Sequence, residues 1–316
     1  MRICLMVEGQ EGVTWDDWAD LARTCEESGL DGLFRSDHYV STINEGELGS
    51  LDAWAVLCGL AAVTSRIRLG TMVSPATFRH PSTLAKMVTT ADHISGGRVE
   101  LGMGAGWFER EHAAYGFDFP STNERMDKLA EQLEIVQGEW SDEEFSYKGA
   151  YYSLEGVHAL PRPVQQPHPP LIIGGSGGPK SLALAARWAD EYNTVSPTLE
   201  EARTRRSSLD SALQAAGRPS DGYTFSLMTT CVVGNNEAEL RRRAQDVLTR
   251  TNNDKSVDDY IAEASKSRIV GTTDQVVERL NQFAEAGVGR VMLQHLNHVD
   301  LDMVKLIGSE LVPALT

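Results

Sequence analysis

Blocks of apolar residues alternate with mixed polar stretches along the chain. Eight short apolar runs stand out, at residues 3–7 (ICLMV), 32–36 (GLFRS), 67–73 (IRLGTMV), 99–104 (VELGMG), 171–175 (LIIGG), 192–196 (YNTVS), 225–233 (FSLMTTCVV) and 290–296 (RVMLQHL). Each has the length of a strand buried on both faces, and most intervals between them space apolar residues three and four apart, as a helix does. Helix boundaries carry their own signals. Thr14 stands three residues before Asp17 as a short capping box, and Gly29 stops that helix. Pro81 opens another that ends at Gly96-Gly97, and Gly287 closes a third. Buried strands alternating with helices imply parallel βαβ units, and eight of them in this length predict an α/β fold, a closed (β/α)8 TIM barrel. An open doubly wound sheet is the other arrangement such an alternation permits.

Two stretches break the rhythm. Residues 140–170 read as a hairpin followed by a Pro-rich connection, and residues 235–270 as extra helices before the seventh barrel helix. No internal repeat or low-complexity tract appears, so residues 1–316 are expected to form one barrel domain with two insertions.

The chain has 316 residues, 41% of them hydrophobic, enough for a substantial core. No apolar run approaches the roughly 20 residues that cross a bilayer, and the start of the chain lacks a signal-peptide core, so a cytoplasmic protein is expected. Cys4, Cys25, Cys58 and Cys231 show no C-x-x-C spacing and read as small buried thiols. A formal charge of −16 argues against nucleic acid and anionic membrane surfaces as partners. It leaves room for a small anion held by backbone N–H groups.

In a barrel, chemistry gathers where strands end, and four strand ends carry suitable residues. Leu33-Phe34 runs directly into Arg35, Ser36, Asp37 and His38. A histidine there can exchange a proton near neutral pH. Neighbouring strand residues face opposite sides, so Asp37 need not be its partner. The fifth run ends in Gly174-Gly175-Ser176-Gly177-Gly178 before a helix opening at Pro179, a place where backbone N–H groups can receive phosphate and Lys180 can add charge. This is neither a P-loop nor a Rossmann fingerprint. The fourth run leads to glycines 102, 104 and 106 and then Trp107, letting a flat ring lie against backbone. The same residues also read as an ordinary strand end and plain tight turns. The third run ends among small residues, with Arg79 and His80 preceding Pro81. A catalytic metal is not expected. The first strand lacks a His-x-His exit, His93 and His112 fall in helices, and His295 and His298 span a strand exit and a helix start.

Taken together, "GLFRSDHY", "SRIRLGTMVSPATFRHPSTLAKMVTTADHISGGRVELGMGAGWFEREHAAYG" and "RPVQQPHPPLIIGGSGGPKSLALAARWADEYN" resemble the luciferase-like monooxygenase superfamily, in particular its branch of probable F420-dependent oxidoreductases. The likeness is strong to about residue 196 and looser beyond. It implies a bacterial-luciferase-like barrel with a flavin or deazaflavin at the strands' C-terminal ends. By resemblance Asp37 and His38 lie beside the ring and are the catalytic pair. Met72, Val73 and Ser74 buttress the ring, with a non-proline cis peptide between Met72 and Val73. Gly104, Ala105, Gly106 and Trp107 form a cofactor loop, and Gly174, Gly175, Ser176, Gly177 and Gly178 bind phosphate. The pattern departs from the family's sugar-phosphate dehydrogenase, which has a glutamate where this chain has Trp107; Glu109 and Glu111 follow further on. With no evident cations for a sugar phosphate, a glucose-6-phosphate dehydrogenase is not expected.

The activity implied is hydride transfer between coenzyme F420 and a small organic substrate. The alternatives are an FMN-dependent monooxygenase using O2 and a partner flavin reductase, and a binding protein without turnover. Lys180 or Arg110 is expected to receive the cofactor's anionic tail. Tyr39, Trp107, Tyr152 and His295 are expected to line the substrate pocket, walled by the loop after residue 39 and the two insertions. A homodimer is expected on resemblance.

Overall fold

The structure is a computed structural model that describes residues 1–43, 48–141 and 144–315. Eight parallel strands close a barrel: β1 (Arg2–Val7), β2 (Gly32–Arg35), β3 (Arg68–Thr71), β4 (Val99–Gly104), β5 (Leu171–Gly174), β6 (Glu191–Val195), β7 (Thr224–Gly234) and β8 (Arg290–Gln294). Each pairs with the next in sequence, and Arg2 opposite Arg290 closes the ring between β1 and β8. The closed barrel is therefore found, and the open sheet is excluded. All eight strands lie within two residues of the expected runs at either end; β3 stops at Thr71 and β8 at Gln294, each two residues short of its run.

Period-two alternation sorts each strand's side chains. Ile3, Leu5, Leu33, Val291 and Leu293 face outward and join the large core between barrel and helices. Cys4, Met6, Phe34, Ile172 and Met292 face inward and fill the barrel. The four cysteines are free thiols, three buried and Cys58 half-buried.

Below this apolar plug lies an ionic floor. Arg290, fully buried, donates to Glu100 at 2.6 Å and Glu191 at 3.1 Å, while Arg68 also reaches Glu100. Its guanidinium carbon sits 4.8 Å from the centre of the Phe34 ring. Burial alone would raise the Glu100 carboxyl, but Arg290 and Arg68 outweigh it and hold Glu100 down to about 2.

The helix ends follow their local signals. Thr14 and Asp17 make a reciprocal capping box, and Gly96 ends the helix Pro81–Ser95 at φ 65°. In the 140–170 stretch a hairpin pairs Phe145–Lys148 with Ser153–Val157; residues 142–143 of that stretch lie outside the described residues. The 235–270 stretch holds helices Glu237–Arg250 and Val257–Ala264, but it is not helical throughout. A further strand, Ile269–Thr272, pairs with the distal half of β7 from Cys231 to Gly234. β7 is long enough for both, pairing with β6 and β8 nearer its start. Val232, Leu240, Tyr260 and Val270 give this insertion a small core of its own. Among the described residues no helix is long and apolar enough to cross a membrane.

Candidate active site

All eight strand exits border one cavity of about 670 Å³ at the barrel's C-terminal end. Met6 comes from β1 and Glu8 from its exit, His38 from the exit of β2, and Met72 and Val73 from that of β3. Gly104, Ala105, Gly106 and Trp107 follow β4; Gly174, Gly175 and Ser176 follow β5. Asn193 and Val195, Met228 and Gln294 complete the wall from β6, β7 and β8. That volume suits a sizeable organic ligand.

His38 is the titratable group best placed to act in the cavity. Its Nδ1 lies 2.8 Å from Glu111 Oε2, leaving Nε2 as the ring atom available to a ligand. Glu111 comes from the short helix Glu109–Tyr115 and is itself fully buried. Its other oxygen accepts the backbone N–H groups of Tyr39 and Val40, so it fixes the backbone next to His38 as well as the ring. Trp107 and Phe108 meet the imidazole edge-on, with centroids 5.7 and 6.1 Å away. Burial disfavours a charged imidazolium. The Glu111 hydrogen bond and charge outweigh burial, helped by Glu8 and Asp37, and raise the His38 pKa above its ordinary value. Glu111 shows the reciprocal effect: burial pushes its carboxyl up, but His38 and the two backbone donors hold it below the usual range.

The β3 exit packs against β4 tightly enough to exclude a side chain at Gly102 and at Gly104. The Met72–Val73 peptide is cis. A Cβ on Gly102 would lie 2.1 Å from the Thr71 carbonyl oxygen, and one on Gly104 would lie 2.7 Å from Val73 Cγ2. Val73 thereby stands in the cavity wall against bare backbone.

After β5, Gly175 donates its N–H to the Asn193 carbonyl at 2.9 Å, and Gly177, at φ 88°, donates to the Tyr192 hydroxyl at 2.8 Å. Gly178 then starts the helix Pro179–Trp188 with no side-chain cap, so its first-turn amides keep no side-chain acceptor. Arg205 packs its stem against Gly177 and donates to Thr194.

The luciferase-like monooxygenase family model matches residues 2–290. The chain belongs to this family. Among its luciferase-like relatives, an F420-dependent glucose-6-phosphate dehydrogenase of Microbacterium testaceum is 31% identical over 314 residues, covering 94% of this chain and 92% of that one. An uncharacterised protein of Mycobacterium tuberculosis is 38% identical over 165 residues, 52% of this chain and 54% of its own length. In three dimensions, an F420-dependent secondary alcohol dehydrogenase in complex with an F420-acetone adduct superposes with TM-score 0.84 at 20% identity, covering 100% of this chain and 99% of that one. A monooxygenase from Streptomyces bottropensis does so at 0.83 and 23%, covering all of both chains.

Within this luciferase-like barrel several expected site residues turn away from the cavity. Asp37 is buried in the wall, not beside the cavity. It accepts from Arg79 at 2.6 and 3.1 Å and from the Ser74 hydroxyl at 2.7 Å, which takes Ser74 into the wall too. Arg79 continues to Asp52 at 2.7 Å, and the Tyr39 hydroxyl also donates to Asp52. Tyr39 therefore belongs to that network, its ring stacked between Phe78 and Tyr115, and does not line the pocket. Tyr152 lies in the connection between the two hairpin strands, its hydroxyl accepting from Gln132 at 2.8 Å. His295 has the outward parity of β8, opposite to Gln294; burial drives its pKa down to about 4 and its Nε2 lies 3.1 Å from the Asp300 carbonyl. Gly177 and Gly178 lie behind the cavity, which Gly174 to Ser176 border. Lys180 is paired at the surface with Asp127 at 2.6 Å, and Arg110 donates to the Ser41 carbonyl while lying over the Phe108 ring. Of the loop after Tyr39, residues 44–47 lie outside the described residues.

Glu111 as the partner of His38, and Glu8 and Gln294 as cavity residues, are not among the residues the sequence points to. Glu8 accepts from Gln10 at 2.8 Å and from Gln294 at 2.5 Å. Parity offered a signal for Gln294: it shares the inward register of Arg290 and Met292. Among the described residues, no cluster of three or more His, Cys, Asp or Glu side chains is arranged to hold a metal.

Proposed function

We propose that the protein is an F420-dependent oxidoreductase moving a hydride between the deazaflavin and a small organic substrate, with His38 handling the accompanying proton. The observation that carries this reading is the buried Glu111–His38 pair, which leaves Nε2 free in a cavity part of whose wall is bare backbone at Gly104, Gly106, Gly174 and Gly175. The relative from M. testaceum, similar over nearly the whole chain and named F420-dependent, supports the choice of cofactor.

The cavity fits such a cofactor. Gly104 and Gly106, where an added Cβ would meet Val73 and Thr77, leave bare backbone in the wall against which a planar ring can lie. Gly174 to Ser176 border the cavity just before an uncapped helix start, where amides can receive a phosphodiester. When bound there, the cofactor supplies the hydride chemistry. The chain's own residues do the rest. Met6, Met72 and Met228 keep water from the inner wall. His38 Nε2 accepts a proton from a substrate hydroxyl, or returns it to a carbonyl oxygen. Glu111 fixes the ring and favours the protonated state. Asp37, through Arg79 and Ser74, anchors the segment that carries His38.

Glu111→Gln tests the pair. It keeps an oxygen acceptor and removes the charge that raises the His38 pKa. Because the wild-type shift is upward, the limb of the pH–rate profile belonging to His38 should move to lower pH in the variant. An unmoved limb, with kcat lowered equally at all pH values, would reduce Glu111 to a structural role. Enzyme loaded with oxidised F420 should lose the oxidised cofactor's absorbance in step with carbonyl product when given a substrate alcohol. Tight cofactor binding without turnover in either direction across a broad panel would indicate a binding protein instead.

A further inference from the structure

We infer that the substrate is an uncharged alcohol, or its carbonyl partner, whose apolar body rests on Trp107, and not a phosphorylated sugar. The inference rests on the F420 reading above and specifies what that site accepts.

Charge is the first observation. Among the described residues, no lysine or arginine borders the cavity, whereas the Glu8 carboxylate does. The sequence continuing from Thr42 through residue 47 contains no lysine or arginine either. A phosphate ester carries about −1.5 to −2 charges at neutral pH, and moving it from water into a cavity requires cations or several N–H donors. In this reading the seat for an anion is the turn from Gly174 to Ser176 with the uncapped helix start behind it, and the cofactor's own phosphodiester occupies it. Nearby cations already have partners. Arg79 is divided between Asp37 and Asp52, Lys180 is paired with Asp127, and Arg110 donates to a backbone carbonyl. Arg205 lies behind Gly177, outside the cavity lining, with Thr194 and Glu201 as partners.

The second observation is apolar surface at the rim. Trp107 lines the cavity yet is 65% exposed, and Val195, also lining it, is 51% exposed. Leaving an indole in water forgoes a large burial gain, so a ligand that covers it recovers that gain. The ring is held in place: it stacks on Phe108 with centroids 5.1 Å apart and planes at 30°. It also stands edge-on to His38, 5.7 Å away. A molecule lying on Trp107 would thus bring its oxygen toward Nε2 while its carbon skeleton covers the indole. In the oxidising direction the C–H hydride would pass to the oxidised deazaflavin and the O–H proton to His38, leaving the carbonyl compound; reduction reverses both.

Two measurements test this, once F420 binding has been verified by fluorescence; failure of that binding would count against the cofactor reading itself. The first compares kcat/KM for cyclohexanol, benzyl alcohol and glucose 6-phosphate on F420-loaded enzyme, with cyclohexanone and reduced cofactor for the reverse direction. At least a hundredfold preference for the uncharged compounds is expected. The second is calorimetric titration of the loaded enzyme with cyclohexanol. Its affinity should hold between low and high salt, should weaken about tenfold in Trp107→Ala, and should largely return in Trp107→Phe. Equal or better use of glucose 6-phosphate, no turnover of any of these compounds by enzyme that binds F420, or unchanged cyclohexanol affinity in Trp107→Ala would each overturn the inference.

Discussion

Replacing His38 with alanine is expected to lower kcat about a hundredfold or more while leaving F420 affinity within a few-fold of wild type. Nε2 is the one ring nitrogen left to a ligand, because Nδ1 is committed to Glu111. The proposed cofactor contacts lie elsewhere, on the backbone after β4 and β5 and on Val73. Loss of the imidazole therefore removes the proton acceptor at the substrate oxygen without dismantling the ring or phosphate seats. It also leaves the buried Glu111 carboxylate without its charge partner, so the folded variant's stability should be measured in parallel. His38→Asn, which can still donate a hydrogen bond to Glu111, separates the two effects: it should restore stability and not turnover. Near-wild-type turnover in the alanine variant would remove His38 from the reaction.

The largest stability effect is expected at the other end of the barrel. Arg290→Ala should destabilise the fold by about 3–5 kcal/mol, the usual consequence of removing one member of a buried ion pair. That is a large fraction of the roughly 5–15 kcal/mol that holds a typical domain together. Arg290 is fully buried and faces two carboxylates, Glu100 and Glu191; Arg68 reaches Glu100 but not Glu191. Burial already raises the Glu191 pKa despite Arg290, so losing the guanidinium leaves that carboxylate with the weakest compensation. The pH dependence has a definite sign. In the wild type, the depressed Glu100 pKa contributes stability that is present above the ordinary carboxylate range and is lost as pH falls toward about 2. In the variant the orphaned carboxylates favour protonation, so the deficit should shrink as the solution is acidified. Urea denaturation at neutral and mildly acidic pH measures this, as a lower midpoint at unchanged slope. A loss below about 1 kcal/mol would place the ionic floor among interactions that merely balance their own desolvation.

The barrel was legible because its strands are buried on both faces. Runs such as "ICLMV" and "LIIGG" have little alternative to a central parallel strand. The strand Ile269–Thr272 escaped notice because only Ile269 and Val270 mark it, between Arg268 and a glycine, in a stretch dominated by helical spacing. Its existence depends on the distal half of β7 offering an unpaired edge, a tertiary fact.

The site was legible where backbone decides and less so where side chains choose a direction. Glycine turns at strand ends lead to the cavity whatever their neighbours do, so Gly104 to Gly106 and Gly174 to Gly175 border it. Asp37, Tyr39, Tyr152 and His295 were singled out for their chemistry, but each has a partner distant in sequence or a parity that turns it outward. Arg79 lies 42 residues from Asp37, and Glu111 lies 73 residues from His38. Nothing local to "RSDHY" reveals either pairing. Gln294 and His295 illustrate the choice: the imidazole attracts attention, while the strand's register sends the neighbouring amide to the cavity.

The central claim, that this barrel is built for a deazaflavin, is tested most directly by titrating the purified protein with F420 and with FMN at fixed ionic strength and following cofactor fluorescence. F420 should bind at micromolar concentration or tighter, and FMN at least tenfold more weakly, a difference of about 1.4 kcal/mol. Equal affinities, or a preference for FMN, would contradict the assignment and turn the same cavity over to flavin chemistry with O2 and a reductase.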